Sequence, residues 1–150
     1  MTMTLAELSE KMRDIDFTML STRAENGAIG ARPMSNNRDV DYDGSAWFFS
    51  FESSRSVSDI LRDPQVGMSL QAKSGLLGMK PFFIAIEGRA EIIRDKAAFA
   101  EHWVKDLEIW FEQGIDTPGL VLIKVNGERA HYWNGGEEGE LVLNGERALA

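Results

Sequence analysis

Apolar residues recur along this chain at two periods, and each period marks an element. Leu5, Leu8, Met12 and Ile15 are spaced as on one face of a helix. Thr4, with Glu7 three residues on, has the spacing of a capping box. Together they predict a helix from about Leu5 to Arg13. Phe17 to Arg23 reads as a strand, and Asn26-Gly27 as a tight hairpin turn, because a primed turn needs positive φ. Ala28 to Asn37 returns as the second strand. Pro33 within it cannot donate to a ladder, so this strand lies at an edge or an opening. After a turn at Tyr42-Asp43-Gly44, Ala46 to Phe51 forms a third strand. Val57, Ile60 and Leu61 give one side of a short helix that Pro64 stops. Gln65 to Lys73 alternates, with Val66, Met68, Leu70 and Ala72 facing one way. Ser74 to Pro81 reads as a flexible loop with two glycines. Phe82 to Arg94 is a long strand in which Gly88 implies a bulge or a close backbone approach.

In the last third, Asp95 caps a longer predicted helix whose apolar stripe is Phe99, Trp103, Leu107, Trp110 and Phe111, with Gly114 as its stop. Leu120 to Val125 and Glu128 to Trp133 read as a hairpin around Asn126-Gly127, and Leu141 to Leu143 as a last short strand. Six or seven strands joined mostly by tight turns make an antiparallel sheet. Such a sheet must close or stack to bury its faces. The simplest solution is a small barrel with helices at its openings: mainly β, with flanking α. No internal repeat or linker is visible, so the 150 residues are expected to form a single domain over 1–150.

Composition narrows the chemistry. Apolar residues make up 43% and charged residues 27%, which places the chain among globular proteins. With no cysteine, disulfides, thiolate metal sites and cysteine nucleophiles are excluded. The net charge of −8 argues against non-specific nucleic-acid binding and against an anionic membrane surface, both of which need clustered Lys/Arg. No basic stretch followed by an apolar run opens the chain, and no apolar run is long enough to span a bilayer, so a cytoplasmic location is the default expectation. H-E-x-x-H, P-loop, G-x-S-x-G and G-x-G-x-x-G motifs are absent. His102, near Glu101 and Asp106, reads as part of a solvated polar face, and no metal site is expected.

The segment from Ala46 to Pro64 carries the strongest chemical signal. It passes from an aromatic strand through a Ser/Arg turn into a helix. Ser53, Ser54 and Ser56 supply hydroxyls and caps, Arg55 a guanidinium, and the helix start a partial positive charge. A few residues upstream lies Ala31-Arg32-Pro33-Met34, with a second arginine. Arginine grips phosphate through two parallel charge-assisted hydrogen bonds. The plainer reading makes both arginines surface partners of the many carboxylates, and the serines caps and turn formers. Trp47, Trp103, Trp110 and Trp133 are first of all packing residues, and Met34 fits either a core gap or the face of a ring.

The stretch W-F-F-S-F-E-S-S-R, then Asp63-Pro64-Gln65-Val66, the A-R-P-M segment and the D-T-P-G-L-V-L-I-K-V…Y-W ending resemble the flavin-binding split-barrel family typified by pyridoxamine phosphate oxidase. The chain looks most like its short branch, the general stress protein family, from about Phe17 to Trp133. The resemblance implies a six-stranded antiparallel split β-barrel with flanking helices, forming a homodimer with FMN at the interface. It implies that Arg32 and Arg55 bind the phosphate with help from Ser54. It places the backbone around Pro33-Met34 and Phe49-Ser50 against the isoalloxazine ring. The chain departs from the oxidase in two places. Ser56 follows Arg55 where the oxidase has a second basic residue. Arg129-Ala130-His131 matches the oxidase's R-x-H substrate motif without the aromatic run before it, so substrate binding is not carried over. The reading is therefore a flavoprotein of the general stress protein type, acting as a flavin-dependent oxidoreductase with no catalytic residue assigned. Two alternatives stay open: a non-enzymatic flavin-binding or storage protein in stress response, and a relative holding a deazaflavin or haem. For haem, His102 and His131 are the available nitrogen ligands.

Overall fold

The computed structural model describes residues 2–36, 40–72 and 81–143. Residues 74–80 of the loop predicted over Ser74 to Pro81, and the ends of two predicted strands, Asn37 and Lys73, lie outside the described residues. Among the described residues seven strands form one sheet: β1 (Phe17–Arg23), β2 (Ile29–Ser35), β3 (Ser45–Phe51), β4 (Gln65–Gln71), β5 (Phe82–Ile93), β6 (Leu120–Asn134) and β7 (Glu137–Val142). Their order is β2-β1-β4-β5-β6-β3, with β7 also paired to β6, and every pairing is antiparallel. The sheet curls but stays open, and β2 and β3 are its two ends. Pro33 therefore lies on an end strand, where its missing N–H costs no ladder bond.

The opening helix α1 (Leu5–Met12) starts at Thr4, whose side chain accepts from the Glu7 amide while Glu7 reaches back to the Thr4 amide. It drops Leu8 and Met12 into the core inside the curled sheet, with Leu20, Phe48, Ile84, Ile86, Ile123 and Tyr132. Helix α2 (Arg55–Arg62) adds Ile60 to the same core and buries Val57 beside it. Its buried side is Ser56, Val57, Asp59 and Ile60, whereas Leu61, expected on that side, is 60% exposed. On the opposite face of β3 and β6, Phe49, Leu120 and Leu122 pack beneath Phe99 and Phe111. The run Leu120–Ile123 is thus covered on both faces.

Two predicted elements are corrected. The long helix after Asp95 is three pieces: α3 (Lys96–His102), then 3₁₀ turns at Lys105–Ile109 and Gly114–Asp116. Trp103 and Val104 are extended, and the break lets Phe99, Trp103 and Phe111 all reach Phe49. Trp110 of the expected stripe is instead 61% exposed. The second correction is Asn126-Gly127, which is not a turn. Strand β6 runs straight through it, and a bulge there accommodates the extra residue Glu128. At this point β6 exchanges one edge partner, β3, for the other, β7. Gly88 sits opposite, and a Cβ on it would lie 2.5 Å from the Asn126 carbonyl oxygen, so the close approach expected at Gly88 is real. The actual hairpin turn follows at Gly135, with φ 65°. Among the described residues no helix is long and apolar enough to cross a membrane.

Candidate functional site

The two end strands of the sheet flank a cavity of about 320 Å³, a size typical of small-molecule sites. Pro33, Met34 and Ser35 of β2 form one wall, and Phe48, Phe49, Ser50 and Phe51 of β3 the other. Leu107, Trp110 and Phe111 from the first 3₁₀ turn and its exit close the side, and Phe17 of β1 joins the lining. Four expected ring-side residues, Pro33, Met34, Phe49 and Ser50, are therefore brought together across the split. Sequence reasoning missed Leu107, Trp110 and Phe111 as cavity residues, because their helical spacing reads as ordinary core packing. Phe17, Phe51 and Trp110 are exposed at the rim, so the cavity opens to solvent.

One end of the cavity is polar. Ser50 Oγ donates to Ser54 Oγ at 3.0 Å, and Ser54 is the N-cap of α2, accepting from the Val57 amide at 3.3 Å. The first-turn amides of a helix have no intrahelical acceptors, so this end carries partial positive charge. The turn before it is pinned by Arg94, which grips Glu52 with two bonds of 2.6 and 2.8 Å. The bond from Arg94 holds the Glu52 carboxyl below its ordinary range.

Arg32 and Arg55 do not line the cavity wall. Arg55 stands exposed at the first turn of α2. Arg32 faces inward from β2, donating to Thr22 Oγ1 at 2.7 Å and to the Leu20 carbonyl at 3.1 Å. The two guanidiniums are close enough for their charges to interact: burial first, and then repulsion from Arg55, lower the Arg32 pKa, while Asp59 opposes them. Asp59, on the buried side of α2, binds Arg62 at 2.9 Å and lies 3.8 Å from Arg32. Two guanidiniums thus share one carboxylate and a third, Arg55, acts on it through its charge, a local excess of positive charge in an acidic chain. Arg23 is paired separately with Asp63 at 3.4 Å. Asp59 was missed from sequence because Val57, Ile60 and Leu61 spell an equally good apolar face that leaves it outside. Ser56, in place of a second basic residue, is 5% exposed and packs into the protein.

Neither histidine reaches the cavity. His102 stacks on Trp47 with ring centroids 3.6 Å apart, and Lys124 lies over the same indole at 5.0 Å. His131 stacks on Trp133 and contacts Glu138 at 2.5 Å, while its neighbour Arg129 is shared between Glu87 and Glu140. The partial R-x-H motif is therefore engaged with carboxylates of the sheet.

A family model described as "Pyridoxamine 5'-phosphate oxidase like" matches residues 4–148. The chain belongs to the pyridoxamine 5'-phosphate oxidase-like family. Solved structures agree on the fold. A protein from Clostridium acetobutylicum related to general stress protein 26 of B. subtilis superimposes with a TM-score of 0.77 at 20% identity, covering 93% of this chain and 94% of that one. General stress protein 26 from Bacillus anthracis str. Sterne gives 0.70 at 24% identity, over 91% and 98%. A heme binding protein from Mycobacterium smegmatis gives 0.76 at 15% identity, over 99% of this chain and 62% of that one. No curated protein matches. The family's split barrel is what these likenesses share with this chain. The open seven-stranded sheet here corresponds to it, with one strand more than the six expected.

Proposed function

We propose that this protein binds FMN in the split between β2 and β3 and works as a flavin-dependent oxidoreductase of the general stress protein type. The observation that carries the reading is the shape of that split. It is an apolar, aromatic-walled cavity whose one polar end is the start of α2, next to a cluster of arginines. A ligand that is a flat ring at one end and a phosphate at the other matches both ends. In this reading Pro33, Met34, Phe49 and Ser50 lie along the ring, and Ser54, Arg55 and Arg32 hold the phosphate.

Bound flavin would supply redox chemistry, so the protein needs no nucleophile of its own. The residues' work is to bind, orient and exclude water. Phe49 and Met34, each under 10% exposed, offer dry wall, and Trp110 at the rim can cover what the wall leaves open. The haem reading finds no imidazole in the cavity, since both histidines stack on tryptophans elsewhere.

The same reading makes the protein a homodimer. Phe83 pairs directly with Trp133 on the outer face of the sheet, and the next row on that face runs from Met19 through Ser69 and Ala85 to His131. Phe17, Met19, Phe83 and Trp133 are between 36% and 54% exposed, an apolar group that a second copy would cover. By the family resemblance, the flavin would be completed at that interface.

Flavin titration of the purified protein tests the site. Arg55→Ala should weaken FMN by roughly 2–5 kcal/mol if its phosphate contact is desolvated. Unchanged affinity would remove Arg55 from the site. Anaerobic mixing of the FMN-loaded protein with reduced nicotinamide separates an enzyme from a flavin store: reduction no faster than that of free FMN favours storage.

A further inference from the structure

The polar end of the cavity hangs on one buried carboxylate. Asp59 is 2% exposed and Thr22 1%. Asp59 Oδ2 accepts from Thr22 Oγ1 at 2.8 Å, and its Oδ1 accepts from Arg62 at 2.9 Å. Thr22 has a single hydroxyl proton and gives it to Asp59, so its oxygen is left to accept from Arg32 Nη1 at 2.7 Å. The Leu20 carbonyl takes another bond from the same nitrogen at 3.1 Å, and Arg32 Nη2 lies 3.8 Å from Asp59 Oδ2. These contacts close a small ring across β1, β2 and α2. Both protons of Arg32 Nη1 are used, which fixes the plane of the guanidinium. Its Nε and Nη2 edge, the pair of donors that suits a phosphate side-on, makes no hydrogen bond with the described residues, and its charged neighbour there is Asp59, 3.8 Å from Nη2.

We infer that Asp59 and Thr22 are positioning residues for an anion site: Thr22, itself held by Asp59, engages one nitrogen of Arg32 so that the Nε and Nη2 edge is presented to a phosphate group. The inference rests on the flavin-phosphate reading and says how that end of the site is preorganised. As bare charge, Asp59 repels an anion. As a positioning group, it strengthens anion binding through Arg32. The two roles predict opposite signs, so one substitution separates them.

The experiment compares FMN with riboflavin, which lacks the phosphate, by equilibrium fluorescence titration of wild type, Asp59→Asn, Thr22→Val and Thr22→Ser. Asp59→Asn should raise the Kd for FMN at least about tenfold, the scale of one charge-assisted hydrogen bond. Riboflavin should be unaffected within about twofold. Thr22→Val keeps the charge and branched shape and should act in the same direction, whereas Thr22→Ser, which retains the hydroxyl, should bind FMN like wild type. Tighter FMN binding by Asp59→Asn would leave Asp59 as a charge only. Parallel loss of FMN and riboflavin would make the network merely structural. Either result overturns the inference. Wild type that binds neither flavin overturns the flavin reading instead. The positioning role is then read from thermal unfolding with inorganic phosphate. Stabilisation of wild type and Thr22→Ser but not Thr22→Val supports it, and an equal effect on all variants, including none, overturns it.

Discussion

Two helical segments flank the same cavity, and different forces hold them. Helix α2 is regular, capped by Ser54, and bolted to β1 and β2 through Asp59, Thr22, Arg32 and Arg62. The segment from Lys96 to Asp116 is broken into short turns and held by Phe99, Trp103 and Phe111 around Phe49. The first sets its N-terminus beside one end of the cavity, where Ser54 binds Ser50, and the second puts aromatic rings into the wall. Directional bonds need a regular scaffold with fixed donors, whereas apolar contact tolerates an irregular chain as long as area is buried. One cavity therefore has a chemically polar end and an apolar side.

The contrast can be broken most sharply at Phe49. Phe49→Ala removes the ring that gathers the aromatic side and should cost about 3–5 kcal/mol in denaturant unfolding. A loss below about 1 kcal/mol would mean that the broken segment is held by something else. At the other pole, Asp59→Ala leaves Thr22 and two arginines without their acceptor. Because Arg62 and Arg32 keep some contact with water, the expected cost is smaller, about 2 kcal/mol.

Asp59 also sharpens the comparison through pH. Burial raises its pKa, but the hydrogen bonds from Thr22 and Arg62 and the charges of Arg62 and Arg55 outweigh burial, so its folded value lies below the ordinary one. Its contribution is then complete above the unfolded carboxylate range and is lost as pH falls through the folded value. Acid titration of stability should be flatter in Asp59→Asn than in wild type. On the aromatic side the titrating group is His102, whose pKa is lowered by burial and by Lys124 against the opposing pull of Glu101 and Asp43. The neutral ring is the one favoured in the folded protein. Stability should therefore be full above the ordinary histidine pKa and decline as pH falls below it, and His102→Phe should remove that decline.

Smaller effects test the edges of both segments. Ser54→Ala removes the cap of α2 and the acceptor of Ser50, for an expected cost of about 1 kcal/mol. The Lys96–Asp116 pair that clasps the ends of the broken segment is 64% and 69% exposed, so Asp116→Asn should cost at most about 0.5 kcal/mol, less in high salt. An effect as large as that of Phe49→Ala would reverse the account of what holds this side.

Local signals predicted well where neighbours in sequence complete the structure. Thr4 and Glu7 cap each other within one turn, and Asn26-Gly27 makes its hairpin, with Gly27 at φ 85°. The same dipeptide at Asn126-Gly127 does not turn. Gly127 there faces Gly88 across the β5–β6 bulge, where a side chain would collide with Tyr42 and Leu143, so this glycine answers a crowded approach rather than positive φ. The stripe from Phe99 to Phe111 has perfect helical spacing and still breaks, because Phe49 gathers those rings from more directions than one helix face offers. For the candidate site, the residue types at both ends of the cavity were legible. Their company was not: the alternation in β2 puts Arg32 and Met34 on the inner face, and only the fold sets Arg32 against Asp59, 27 positions along the chain.

The sequence by itself determined the alternating strands, the capped first helix, the edge position of Pro33 and the serine–arginine turn, since each depends on residues within a few positions of one another. The tertiary structure alone decided that the two end strands stay apart, that the gap between them is walled by Trp110 and Phe111, and that a buried carboxylate orients Arg32. Those outcomes depend on which distant surfaces meet once the sheet curls, and no local period encodes that meeting.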